Sequence, residues 1–125
     1  MRKLTKEETL AQIESSARII YDAIEVGDSK TANKENKKLI KIYKYFETDL
    51  EFAEKCINEM YNSSNIIVIS KAAGYSLGLK LDVDRAINTL SEISKNEDYG
   101  IYSFNAEMTL KVWNKNKELK IYVKK

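Results

Sequence analysis

The chain has 125 residues, the size of one domain, and a chain of that length sustains a core without disulfide staples. It carries 21 Lys and Arg against 19 Asp and Glu, 43% hydrophobic residues, one Cys, and neither Pro nor His. This composition removes histidine as general base or metal ligand, any intramolecular disulfide and any cysteine-based zinc site, and a net charge of +2 is too small to imply nucleic acid by itself.

Six helical segments follow from caps and apolar periodicity. Thr5 with Glu8 forms a capping box, and Leu10, Ile13, Ala17, Ile20 and Ile24 then recur at steps of three and four, giving one apolar stripe that Gly27 closes. Asp28 caps a second helix that buries Ala32, Leu39, Tyr43 and Phe46. Thr48 with Glu51 reads as a second capping box, opening a helix with Leu50, Ala53, Ile57 and Met60. After the polar break Asn62–Asn65, a fourth segment runs to about Leu79. Its β-branched run Ile66-Ile67-Val68-Ile69 would suit a strand, but a lone strand has no sheet to join, and Ala72, Ala73, Tyr75 and Leu77 continue it at helical length. Asp82 caps a fifth helix with Val83, Ala86, Leu90 and Ile93. A sixth runs from about Tyr99 to Asn114, with Trp113 capping the apolar end of the stack. The expected organisation is a single helical domain over residues 1–118 and a basic tail over 119–125. Leu119 to Val123 alternates apolar and polar, so the tail is expected to be extended and to lie along the last helix pair.

The third and fourth segments fall on the fifth and sixth when shifted by 33 residues. Asp49 then meets Asp82, Ala53 meets Ala86, Ile57 meets Leu90, Met60 meets Ile93, Ala73 meets Ala106 and Leu77 meets Leu110. Stacked helix hairpins need such a recurrence, because each buries its open face only against a neighbour. The expected fold is all-α: a HEAT-like, right-handed stack of three helix hairpins.

The run Gly100-Ile101-Tyr102-Ser103-Phe104-Asn105-Ala106-Glu107-Met108-Thr109-Leu110-Lys111-Val112-Trp113 resembles the closing signature of a bacterial family of small HEAT-like helical-repeat proteins, catalogued as domain of unknown function 2019. Gly27-Asp28 followed by Ala32-Asn33-Lys34 is similar to that family's entry into its second helix, and Ala72-Ala73 to the small-residue pair of its central helix. The resemblance covers about residue 10 to Trp113. Val68-Ile69-Ser70 departs from it, lacking the Arg that HEAT-type helices often carry there. It implies a fold and no activity.

No motif assembles catalytic chemistry. Gly74-Tyr75-Ser76-Leu77-Gly78 matches the G-x-S-x-G nucleophile elbow, but the chain has no His to take the serine proton, so the run reads as a small-residue face for close helix approach. Cys56 lies near Glu54 and Glu59, which disfavour a thiolate, and reads as structural. Asp82 and Asp84 make a poor Mg²⁺ site and read as a cap and a first-turn charge. Neither cofactor nor metal is expected.

Charge falls in blocks: Lys30–Lys44 sums to +5, Glu47–Glu59 to −4, Asp82–Asp98 to −3 and Lys111–Lys125 to +5. In a HEAT-like stack the second helix of each pair lines the concave surface, which would bring Lys34, Lys38 and Lys41 into one groove with Lys71 and Lys111. Of the eight tyrosines, Tyr21, Tyr43 and Tyr102 fall on apolar stripes and are expected in the core. Tyr45, Tyr61, Tyr75 and Tyr122 are freer to act as surface anchors. The expected function is a non-catalytic protein-interaction module. Its narrower form is an immunity protein capping a bacterial toxin, with Lys34, Lys38, Lys41, Lys71, Tyr75 and Lys111 meeting the partner. The alternative is a nucleic-acid backbone held by the same lysines, against which the presence of only three Arg argues. No apolar run approaches the roughly 18 residues of a membrane span, and Met1-Arg2-Lys3 leads into charged residues rather than a signal core, so a cytoplasmic setting is expected.

Overall fold

The computed structural model describes residues 4–122, and within them the chain is all-helical, with no strand. Six α-helices follow in order: α1 (Lys6–Glu25), α2 (Ser29–Thr48), α3 (Leu50–Met60), α4 (Ile66–Leu79), α5 (Val83–Lys95) and α6 (Ile101–Asn116), with a 3₁₀ turn at Glu97–Tyr99 before the last. The β-branched run of α4 is helical, as its length predicts.

Local chemistry sets most of the boundaries. Thr5 Oγ1 accepts from the Glu8 amide at 3.1 Å while Glu8 Oε1 accepts from the Thr5 amide at 3.0 Å, completing the capping box of α1. Gly27 follows at φ +74, a conformation that costs a β-carbon-bearing residue energy, and Asp28 Oδ1 then accepts from the Thr31 amide at 3.1 Å. Two expected caps differ. Thr48 is the last residue of α2, its hydroxyl donating to the Tyr45 carbonyl at 2.7 Å, and Asp49 caps α3 by accepting from the Phe52 amide at 3.1 Å. One residue thus ends α2 and starts α3. Asp82 precedes α5 but sits in the left-handed region at φ 46, not the extended conformation that aims a cap side chain at the first turn, and makes no capping hydrogen bond.

The pairs α1–α2, α3–α4 and α5–α6 pack as neighbours, and α4 also packs on α1, α5 and α6, which places it at the centre. Its Ile66, Ile67, Val68, Ala72, Ala73, Tyr75, Ser76 and Leu77 are all buried. A helix apolar on every side belongs in that position. Of the aligned residues, Ala53 and Ala86, Ile57 and Leu90, Met60 and Ile93, and Ala73 and Ala106 are buried, whereas Leu77 is buried and Leu110 only partly so; Trp113 is buried near the end of α6.

Six rings run unbroken through the core. Tyr122 meets Tyr43 edge-on at 6.0 Å, Tyr43 meets Tyr75 at 5.1 Å, Tyr75 meets Phe46 at 6.1 Å, Phe46 meets Phe52 at 6.1 Å, and Phe52 meets Tyr45 at 5.4 Å. Such edge-on pairs add to area burial. They also correct two expectations. Tyr75 is only 2% exposed, with its hydroxyl directed at the Leu39 carbonyl at 3.4 Å, so it is a core residue and not a surface anchor. Tyr21, placed by periodicity in the core, is exposed and stacks on Tyr102 at 5.9 Å.

Leu119, Ile121 and Tyr122 of the tail pack partly buried against the core, Ile121 on α4 and Tyr122 on Tyr43 of α2. Ile121 lies against Gly74 and Gly78, and a Cβ built on Gly78 would overlap the Tyr43 hydroxyl and come within 3.0 Å of Ile121. The Tyr122 hydroxyl donates to Glu47 Oε1 at 2.5 Å, and Lys44 Nζ stands 4.8 Å from the Tyr122 ring centre. The tail's expected last alternating residue, Val123, lies outside the described residues.

Candidate binding site

The G-x-S-x-G run lies inside α4, with Ser76 buried and sharing a 2.8 Å hydrogen bond with the Tyr61 hydroxyl. That is the small-residue face read from the sequence: glycine lets the tail and Tyr43 approach the helix closely. Cys56 is fully buried, and burial with Glu59 nearby pushes its thiol up to about 11, which suits a structural role.

Helix α2 carries a basic face. Its buried face, Ala32, Glu35, Leu39, Ile42, Tyr43 and Phe46, fixes the opposite face toward solvent, and Lys30, Lys34, Lys37, Lys38, Lys41 and Lys44 are all exposed. Lys38 is engaged: its Nζ lies 2.9 Å from Glu35 Oε2, while Ser16 donates to Glu35 Oε1 at 3.1 Å. The hydrogen bond from Lys38 holds the Glu35 carboxyl below its ordinary range, assisted by Ser16, against the opposing effect of burial. Lys111 pairs with Glu107 one turn earlier at 3.4 Å, an exposed pair of small energetic weight. Among the described residues Lys30, Lys34, Lys37 and Lys41 make no ion pair.

A cavity of about 370 Å³ lies among α1, α2, α4, α5, α6 and the tail. Of the six residues expected to meet a partner, it brings together only Lys71 and Tyr75; Lys34, Lys38, Lys41 and Lys111 do not line it. Asn36 is the α2 residue that faces it, and Leu119, Lys120 and Ile121 form one wall, so the tail occupies part of the groove expected to be open. Lys71 is partly buried, and burial alone lowers its affinity for a proton. Tyr102, another lining residue, carries a buried hydroxyl with no hydrogen-bond partner among the described residues.

One surface escaped the sequence reading. Ile101, Phe104, Met108 and Val112 recur at steps of three, four and four along α6 and are all exposed, Phe104 by 59%. The spacing was visible in the sequence, but the residues had no marker that set them apart from a core stripe.

Among the described residues no group of three or more His, Cys, Asp or Glu side chains is placed to hold a metal ion, and no helix is long and apolar enough to cross a membrane. Comparison with protein-family models, curated proteins and solved structures gave no match.

Proposed function

We propose that this chain is a non-catalytic protein-interaction module, acting in the cytoplasm of a bacterial cell, that recognises an acidic partner protein through the lysine face of α2. The supporting observation is that face itself: a 20-residue helix anchored by its apolar side presents six lysines outward, only one of them matched by a carboxylate among the described residues. Cations held on a rigid helix speed encounter with an acidic surface and reject basic ones. The narrower form of this reading is an immunity protein covering an acidic patch of a toxin; the alternation of basic and acidic blocks along the chain supports it. The same reading takes the three hairpins as a HEAT-like stack, in keeping with the resemblance to the domain of unknown function 2019 family.

A tagged pull-down from source cells, run with and without nuclease, tests it together with the triple variant Lys34→Glu, Lys38→Glu, Lys41→Glu. The expected result is a stoichiometric acidic protein that survives nuclease and binds the triple variant at least about tenfold more weakly, since like charges face each other across the contact. A partner indifferent to the triple variant overturns the assignment of this face. Material that vanishes with nuclease, and whose affinity falls steeply with salt at close to one log unit per phosphate contact, replaces it with nucleic-acid binding.

A further inference from the structure

We infer that the cavity between α2, α4, α6 and the tail is a binding site for a small carboxylate with an aliphatic body, its head group meeting Lys71 and its chain lying on the surrounding aliphatic walls. The volume of about 370 Å³ falls within the span of small-molecule sites, about 300–1,000 Å³. Its lining has the division of labour such a ligand needs. Ile20, Ile24, Ile67, Leu90 and Ile121 supply apolar wall, drawn from three helices and the tail. The ionisable residues on that wall are two lysines, Lys71 and Lys120, and two tyrosines, Tyr75 and Tyr102, with no carboxylate among them.

Lys71 points to a ligand. It lines the cavity partly buried, and among the described residues it makes no ion pair or hydrogen bond. Desolvated polar groups are ordinarily paired, and a cation left unpaired costs free energy. A carboxylate supplies the missing partner, one of its oxygens accepting from the ammonium. The amide side chains of Asn36 and Asn105 also line the cavity and offer donors for the other oxygen. Binding is non-covalent, so no bond is made or broken.

The test uses the full chain with octanoate and 1-octanol, which share an aliphatic body and differ in charge. Calorimetry at neutral pH is expected to show octanoate binding at least about tenfold more tightly than octanol, the worth of one charge-assisted hydrogen bond. Amide shifts should concentrate at Lys71, Tyr102 and the tail. Lys71→Met should reduce octanoate to the octanol level and leave octanol unchanged, while Lys71→Arg keeps the preference for the acid. The inference fails if neither ligand binds, if the two bind equally to the unaltered chain, if Lys71→Met keeps the preference, or if the shifts fall outside the cavity. The comparison of ligands on the unaltered chain stands even where a variant does not fold.

Discussion

Helices α4 and α6 hold corresponding places in the 33-residue alignment, and their environments are opposite. Val68 aligns with Ile101 and Tyr75 with Met108; the first of each pair is 1% and 2% exposed, the second 54% and 41%. Both helices lack a single dominant apolar face, for different reasons. In α4 apolar residues surround the axis because α1, α3, α5, α6 and the tail enclose it. In α6 one apolar side, Ala106 and Trp113, faces the core, and a second, Ile101, Phe104, Met108 and Val112, faces solvent. The same absence of amphipathic pattern therefore marks a central helix in one case and, in the other, an end helix with two apolar sides. An open apolar side is also where a further hairpin of a repeat array would stack.

The strongest way to break this comparison is to truncate aligned residues. Tyr75→Ala removes a ring that touches both Tyr43 and Phe46, and should cost about 3–5 kcal/mol. Met108→Ala should cost under about 0.5 kcal/mol, as exposed positions do. Urea melts of both variants measure the difference, and equal costs would mean that α6 is as enclosed as α4. The same ring cluster makes an alkaline prediction. Burial, with Glu47 and Tyr122 nearby, pushes Tyr43 up to about 12 from 10. A neutral phenol favoured by the fold contributes stability that is whole below pH 10 and is lost as pH rises toward 12. Absorbance titration at the tyrosinate band should show Tyr43 ionising late, together with loss of helicity.

The next effect concerns the tail. Gly78→Val places a branched side chain where Tyr43 and Ile121 leave no room, and overpacking of this kind costs about 1–3 kcal/mol. Its aligned residue on α6 is Lys111, where Lys111→Ala should change stability by less than about 0.5 kcal/mol. Amide exchange at residues 119–122 should accelerate in Gly78→Val and stay unchanged in Lys111→Ala. Unaltered exchange in the valine variant would show that the tail does not depend on the glycine face.

Much of this architecture is legible in the sequence because it rests on local chemistry. The caps at Thr5 and Asp28 and the stripe Ile13, Ala17, Ile20 need only nearest-turn geometry. The misplacement at Thr48 has a local cause too: Thr48 and Asp49 are both good caps, and with Thr48 still in α2 it is the Asp49 side chain that reaches the Phe52 amide. What stays hidden depends on distant residues. Periodicity cannot rank Tyr75 against Tyr21 when α4 is apolar all round. Nothing in Leu119–Tyr122 announces Gly74 and Gly78 as its seat, and those glycines read as a nucleophile elbow until their neighbours are known. Lys71 was legible as a candidate site residue. Its enclosure was not, because one wall of its cavity is the tail.

A smaller effect, of opposite sign, separates Lys71 from its aligned residue Phe104. Lys71 puts a charge on the wall of a half-open cavity and Phe104 puts a ring into solvent, so each looks misplaced by the rule that governs the other. Burial lowers the proton affinity of Lys71, so the folded state bears a cost at neutral pH that lessens as pH rises and the amine becomes neutral. Lys71→Met removes the charge, keeps the stem's packing, and should raise stability by about 1 kcal/mol in the absence of ligand. Phe104→Ser gives up little, because the ring is already 59% exposed, and should stay within about 0.5 kcal/mol. Thermal melts at several protein concentrations read both. A stabilised Lys71→Met marks the lysine as retained at a cost to the fold, as a ligand-binding group would be. A concentration-dependent loss in Phe104→Ser would instead place the open side of α6 inside an assembly of chains, and α6 would then be enclosed as α4 is, by a neighbouring molecule in place of the chain's own helices.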